Sequence, residues 1–205
     1  MTATVLKRPA NRFELLRLMP KGLRWAEIGV LRGEFSQQIW TVTDPAHLHL
    51  VDPWNCPYPW TDDKTKISEL TYGLDNMREV TSRFAGCPKV SMWRMTSAEF
   101  FAPSRMARLD AVYVDGAHDY ASVRDDLDGA LNAINEQGWI LGHDYCEGGV
   151  MSGVKRAVDE FLGDYKLHLW ALTDEPLAPV HRVSEADKLR PAETAYNSFC
   201  IKVGK

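Results

Sequence analysis

The sequence has no C-x-x-C pair, no apolar run long enough to cross a bilayer and no Lys/Arg-rich block. Each absence removes a class of protein. Cys56, Cys87, Cys146 and Cys200 lie far apart, which excludes a zinc ribbon and a dense disulfide framework and leaves reduced, mostly structural thiols. A membrane span needs about 18 to 20 consecutive apolar residues, and none is present. The opening MTATVLKRPANRF lacks the long apolar core of a secretory signal, so the expected location is the cytoplasm. With Lys+Arg 24 against Asp+Glu 28, the net charge of -4 argues against partners held by phosphate neutralisation, nucleic acid or an anionic membrane surface. Small molecules are the expected partners. A homo-oligomer is neither required nor excluded.

The 205 residues fit one domain, 1–205, with a single generous core. Apolar runs bounded by turn residues alternate with amphipathic stretches, the pattern of strands and crossover helices on a parallel sheet. The fold class is therefore α/β. Strands are predicted at 25–30, 47–51, 90–95, 109–114, 139–141, 166–173 and 198–203. Helices are predicted at 34–41, 67–84, 98–101, 120–135 and 150–165, where Val123, Leu127, Ala130, Leu131 and Ile134 share one face. A short helix around Phe13, Leu15, Leu16 and Leu18 stops at Pro20 and Gly22. Residues 53–63, with three prolines and three aromatics, read as a long loop, and 174–195 as an exposed excursion.

The first strand ends in AEIGVLRGEFS, where Glu27 closes the strand, Gly29 and Gly33 bracket the turn, and Ser36 follows as a helix begins. A nicotinamide site wants three glycines in G-x-G-x-x-G, and only two are here. A carboxylate at this tip repels a pyrophosphate but attracts the ammonium of an amino-acid-bearing ligand. An ordinary turn with a surface glutamate is the plain alternative. The second strand ends in Asp52, about 25 residues on, near the roughly 20-residue spacing of acids that grip a ribose. At the end of the third strand, Ser97 with Glu99 either caps the next helix or faces an adenine edge.

The densest signal is DAVYVDGAHDYASVRDDLDGALNAINEQGWILGHDY. In it and in the strand tips before it, the chain resembles the class I S-adenosylmethionine-dependent methyltransferases, most closely the group with IDGDHSY-like and GGxIxGHDY-like strands. The likeness runs from about Trp25 to Phe161 and ends in GVKRAVDEF. It implies a Rossmann-like, seven-stranded, mostly parallel sheet with helices on both faces and an antiparallel last strand, 198–203, beside 166–173. It also implies that Glu27 and Gly29, with Gly33 and Ser36, hold the cofactor's amino-acid part, Asp52 its ribose, and Ser97 its adenine neighbourhood, and that Asp115 and His118 sit where cofactor meets acceptor. In similar metal-dependent O-methyltransferases the matching ligand positions are Asp115, His143 and Asp144, which suit Mg²⁺ or another divalent ion. Ala117 replaces the second acid of the fourth-strand pattern.

The expected reaction is methyl transfer from S-adenosylmethionine to a hydroxyl oxygen of a small acceptor, with nitrogen also open. Metal coordination or a neutral histidine, His118 or His143, removes the acceptor's proton. The alternative is a protein that binds the nucleoside without turnover. Trp54, Tyr58 and Trp60 are expected to form an apolar lid over the acceptor, the plain alternative being that they pack their loop onto the sheet edge.

Overall fold

The computed structural model describes residues 6–55, 69–103, 108–147, 152–179 and 193–204. Along the chain run α1 (Arg12–Arg17), β1 (Arg24–Ile28), α2 (Glu34–Thr43), β2 (His47–Val51), α3 (Glu69–Arg83), β3 (Val90–Trp93), α4 (Ser97–Phe100) and β4 (Leu109–Val114). They continue as α5 (Tyr120–Ala133), β5 (Ile134–Tyr145), α6 (Ser152–Tyr165), β6 (Leu169–Leu172), β7 (Leu177–Pro179), β8 (Glu193–Ala195) and β9 (Asn197–Lys202). Among the described residues no helix is long and apolar enough to cross a membrane.

Seven strands form one sheet in the order β3-β2-β1-β4-β5-β9-β6. β1 to β5 pair in parallel, while β9 slots between β5 and β6 antiparallel to both. The expected Rossmann-like sheet with its reversed last strand is thus present. Because successive side chains point to opposite faces, each buried strand divides its residues between two cores. Ile28, Val112, Val114 and Ile140 pack under α5 and α6 with Leu127, Phe161 and Phe199. Trp25, Tyr113 and Leu141 pack under α1, α2 and α3 with Leu16, Ile39 and Val80. The strand order reverses across β1, whose neighbours are β2 and β4, so a crevice opens at the carboxyl ends of these strands.

Two expectations need correction. The helix predicted to reach 135 ends at Ala133, and β5 starts at Ile134 rather than 139. Ile134 has extended backbone angles, and side chains remote in sequence hold the change of direction: Arg108 donates to the carbonyls of Asn132 and Ile134, and Asn135 donates to Asp110 at 2.6 Å. Periodicity alone cannot see those partners. The excursion at 174–195 also carries structure, an antiparallel ladder between β7 and β8. The segment before α1 adds to the far edge of the sheet, where Lys7 bridges Ala171 in parallel.

The crevice depends on close backbone approach at Gly29. Its φ is +86°, the Asp115 amide donates to the Ile28 carbonyl at 2.8 Å, and a Cβ on Gly29 would lie 2.1 Å from the Asp115 carbonyl oxygen. Gly22 has a similar φ of +72° with nothing within 4 Å of its missing Cβ. Thermal unfolding should therefore show Gly22→Ala losing only the left-handed strain of about 1–2 kcal/mol. Gly29→Ala should lose several-fold more, since β1 and β4 must also part; equal losses would contradict this reading.

Candidate functional site

At the carboxyl ends of β1, β4 and β5 lies a cavity of ≈ 420 Å³, lined by Glu27, Gly29, Val30, Leu31, Glu34, Phe35, Asp115, His118, His143, Asp144 and Tyr196. Such a volume suits a small molecule. Six of the residues singled out from the sequence line it: Glu27, Gly29, Asp115, His118, His143 and Asp144.

Glu27 is only 1% exposed and accepts a hydrogen bond from the Ser36 hydroxyl. Loss of water pushes its carboxyl up to about 8, and the nearby charges of Asp115 and Asp52 add to the push against the lowering by Ser36 and Arg12. Glu27 is therefore mostly neutral at pH 7. Ser36, 0% exposed, acts through Glu27 rather than on the cavity itself.

The other predicted cofactor residues shape the site from outside the lining. Asp52 Oδ2 accepts the amides of Val30 at 2.9 Å and Leu31 at 3.0 Å, and Oδ1 accepts that of Trp54 at 2.6 Å. Three of about four acceptor positions on the carboxylate are so engaged, and the turn after β1 is tied to the tip of β2. Gly33 takes a left-handed conformation at the start of α2, where a Cβ would meet Val80 at 3.1 Å. The cap of α4 is Thr96 with Glu99 in a reciprocal box, and Ser97 instead hydrogen-bonds the buried Asp126. Trp54 does not form a lid: it is 2% exposed, belongs to the core beneath α2 and α3, and donates its indole N–H to the Leu31 carbonyl at 2.9 Å. Tyr58 and Trp60 lie outside the described residues.

At the carboxyl ends of β4 and β5, one charge cluster lines the same cavity as Glu27. His118 Nε2 lies 2.8 Å from Asp144 Oδ2 and 3.8 Å from Asp115 Oδ1; His143 Nδ1 lies 3.0 Å from Asp144 Oδ1 and 4.0 Å from Asp115 Oδ1. The pairing of β5 with β9 shifts between Gly142 and Tyr145, the stretch that holds His143 and Asp144, and Asp144 takes φ +57°. A bulge of this kind re-aims side chains at a strand end, and the left-handed backbone of a non-glycine residue marks stored strain. His118 precedes the Asp119 cap of α5, whose start packs so tightly on α6 that a Cβ on Gly153 would come within 2.6 Å of the His118 carbonyl oxygen.

Burial disfavours a charged His118, but the carboxylates of Asp115 and Asp144 beside it outweigh that and raise the imidazole to about 9. His143 is also raised, against burial, by its hydrogen bond to Asp144 and the nearby Asp115 charge. Burial likewise opposes a charged Asp144, yet hydrogen bonds from both histidines hold its carboxyl well below the usual range. The expected neutral histidine base is thus altered: at neutral pH His118 holds its proton between two carboxylates. Asp115, His118 and Asp144 offer ligand atoms that all lie within 4.8 Å of one another, so the converging set contains His118 where the sequence pattern suggested His143.

Arg12, Leu31, Glu34, Phe35 and Tyr196 were not singled out from the sequence. Phe35 lies inside the AEIGVLRGEFS stretch, but nothing there marks which way its ring faces. Tyr196 enters from the β8–β9 junction, and Arg12 from α1, elements far away in sequence.

An acid whose pKa is raised in the fold keeps a proton that the unfolded chain has lost, so its stabilising effect declines as pH rises from 4.5 towards 8. Melting curves of wild type and Glu27→Gln at pH 5, 6.5 and 8 should diverge, with the variant gaining relative to wild type at each step. Parallel curves would show that Glu27 is ionised in the empty protein.

The methyltransferase-domain family matches residues 26–145 of the chain. No curated protein matches the sequence. Among solved structures, the N-methyltransferase NodS of Bradyrhizobium japonicum is similar with a TM-score of 0.58 at 11% identity, covering 95% of this chain and 93% of that one. An O-methyltransferase family protein of Burkholderia thailandensis gives 0.58 at 10% identity over 95% and 55%. Aeropyrum pernix fibrillarin, with natively bound S-adenosyl-L-methionine, gives 0.56 at 12% identity over 93% and 73%. At these identities the likeness is one of fold, and the family match adds the identity: this chain belongs to the methyltransferase-domain family of class I S-adenosylmethionine-dependent methyltransferases.

Proposed function

We propose that the protein transfers the methyl group of S-adenosylmethionine to a hydroxyl oxygen of a small acceptor. One observation carries this reading: the same small cavity is lined by a buried carboxyl and by an acid–imidazole cluster. Glu27 takes the ammonium of the cofactor and becomes ionised by it. Gly29, with no side chain, leaves the strand tip open to the ligand. Gly33 and Ser36 set the turn and Glu27 itself, Asp52 uses its remaining acceptor position on the ribose, and Ser97 stands at the adenine neighbourhood.

Because the sulfonium already makes the methyl electrophilic, the chain's main work is to align the acceptor oxygen and take away its proton. His118 becomes a base only when the proton between Asp115 and Asp144 is lost at higher pH; with a cation in the proton's place the imidazole is a ligand, and the ion takes over the activation of the acceptor. The donor set fits such a cation: two carboxylates and an imidazole converge on one point, an oxygen-rich mixture suited to Mg²⁺ or Mn²⁺. When bound, a divalent ion supplies Lewis acidity that lowers the pKa of a hydroxyl. Asp115, His118 and Asp144 would hold it, with His143 keeping Asp144 oriented from the other side, as metal-ligating groups commonly require. Ala117, exposed on the β4–α5 turn, supplies no further ligand.

The test is transfer of labelled methyl to a panel of phenols, catechols, hydroxy acids and amines, before and after chelation. Hydroxyl methylation is expected, lost on chelation, restored by Mg²⁺ or Mn²⁺, and lowered by about 10²-fold or more in kcat by Asp144→Asn or His118→Ala. Activity that survives chelation but not His118→Ala would leave a histidine base and remove the metal. Label found only on amines would overturn the oxygen assignment, and nucleoside binding with no transfer to any acceptor would favour a binder without turnover.

A further inference from the structure

The anchors read from the sequence leave one part of the cofactor without a partner. Glu27 answers the ammonium and Asp52 the sugar, but the amino-acid end also carries a carboxylate, attached to the same carbon as the ammonium. A cation beside Glu27 would answer it, and α1 brings one there.

Arg12 is the first residue of α1. Its guanidinium lies 4.6 Å over the ring of Phe35, a residue of the cavity wall, and its Nη1 stands 3.7 Å from Oδ2 of Asp115, another wall residue. Ser36, next to Phe35 in the chain, donates to Glu27. Guanidinium and Glu27 carboxyl thus stand against neighbouring residues of α2, and the Arg12 charge acts on the Glu27 carboxyl. A separation of 3.7 Å is too long for a hydrogen bond, so the ion pair with Asp115 leaves the planar donor fork of Arg12 unspent. The side chain is 31% exposed, and its charge is near enough to act on the Glu27 carboxyl.

The backbone holds Arg12 in this place from an unexpected direction. Its amide donates to Glu175 Oε1 at 2.9 Å, the Glu175 amide donates to Asn197 Oδ1 at 3.0 Å, and the Asp174 amide donates to the Pro9 carbonyl at 2.9 Å. Asn197 opens β9, directly after the wall residue Tyr196. The start of α1 is therefore fixed to the sheet by its neighbour across the cavity mouth, and the Arg12 side chain is presented from a rigid base.

We infer that Arg12 is a specificity-determining residue that takes the cofactor's α-carboxylate, so that Glu27 and Arg12 together clamp the zwitterion and reject nucleosides lacking the carboxylate. This rests on the cofactor reading above. The guanidinium fork pairs with the two carboxylate oxygens, while Phe35 supports its flat face by cation–π contact. Asp115, set too far away to satisfy Arg12, keeps the cation from leaving an otherwise acidic wall.

The experiment is titration calorimetry with S-adenosylhomocysteine and with its decarboxylated analogue, the same thioether nucleoside ending in a 3-aminopropyl chain. Wild type, Arg12→Met and Arg12→Lys are compared, the first variant keeping apolar cover on Phe35 without charge. Wild type should prefer the carboxylate-bearing nucleoside by about tenfold to a hundredfold, the worth of a charge-assisted hydrogen bond or pair of bonds. Arg12→Met should lose that preference by weakening for S-adenosylhomocysteine alone, with the analogue's affinity unchanged, and Arg12→Lys should keep part of it. A wild type with no preference overturns the inference without any variant having to fold. So does an Arg12→Met that keeps the preference, or one that weakens both ligands alike, which would make Arg12 a packing residue. A wild type that takes up neither nucleoside overturns the cofactor reading, and this inference with it.

Discussion

A carboxyl group removed from water with one serine hydroxyl for company is the constraint around which this site is organised. Burying an ionised Glu27 is costly, so the fold keeps it neutral and gives the site an affinity for a cation of the right shape. The surrounding geometry makes that arrangement durable. Ser36 comes from the first turn of α2, whose start depends on the left-handed Gly33, and the turn between is fastened to β2 by Asp52. Gly29 lets β1 and β4 come close enough that Asp115 stands in electrostatic range of Glu27. Each of these residues acts on the ligand largely by acting on the shape around Glu27.

The acid–imidazole cluster works through balance between groups rather than through isolation. Two carboxylates and two imidazoles share a small volume, and each carboxylate makes the histidines easier to charge while the histidines keep Asp144 ionised. A bulge near the end of β5 and the tight approach of Gly153 to the start of α5 converge the cluster, so that its members come from two strand tips with the register set by β9 and α6. Such a cluster is ready to exchange a proton for another cation without rearranging the fold.

The sheet was readable because its strands are buried on both faces, so that they appear as apolar runs separated by amphipathic helices, and the antiparallel position of β9 followed from the resemblance. The six residues of the cavity wall named from the sequence lie at strand tips, where position along a strand fixes position in space. What could not be read depends on partners distant in sequence. Ile134 fits a helical face as well as a strand start until Arg108 and Asp110 decide the matter. Asp52 looks like a free ribose acid until the amides of Val30, Leu31 and Trp54 are seen on it. Trp54 looks like a lid because aromatic residues in a proline-rich loop give no sign of which ones turn inward. Arg12, beside the wall residues Phe35 and Asp115, and the wall residue Tyr196 are brought near each other by the bonds of Glu175 and Asn197 that join α1 to β9, a link that leaves no periodic trace.

The central claim is that the cavity receives its ligand by ionising Glu27. Calorimetry of S-adenosylhomocysteine binding at pH 7, repeated in buffers of different ionisation heat, measures the protons exchanged. The account predicts release of about one proton per nucleoside in the wild type, and none in Glu27→Gln. Binding of the nucleoside to the wild type with no proton release would contradict it.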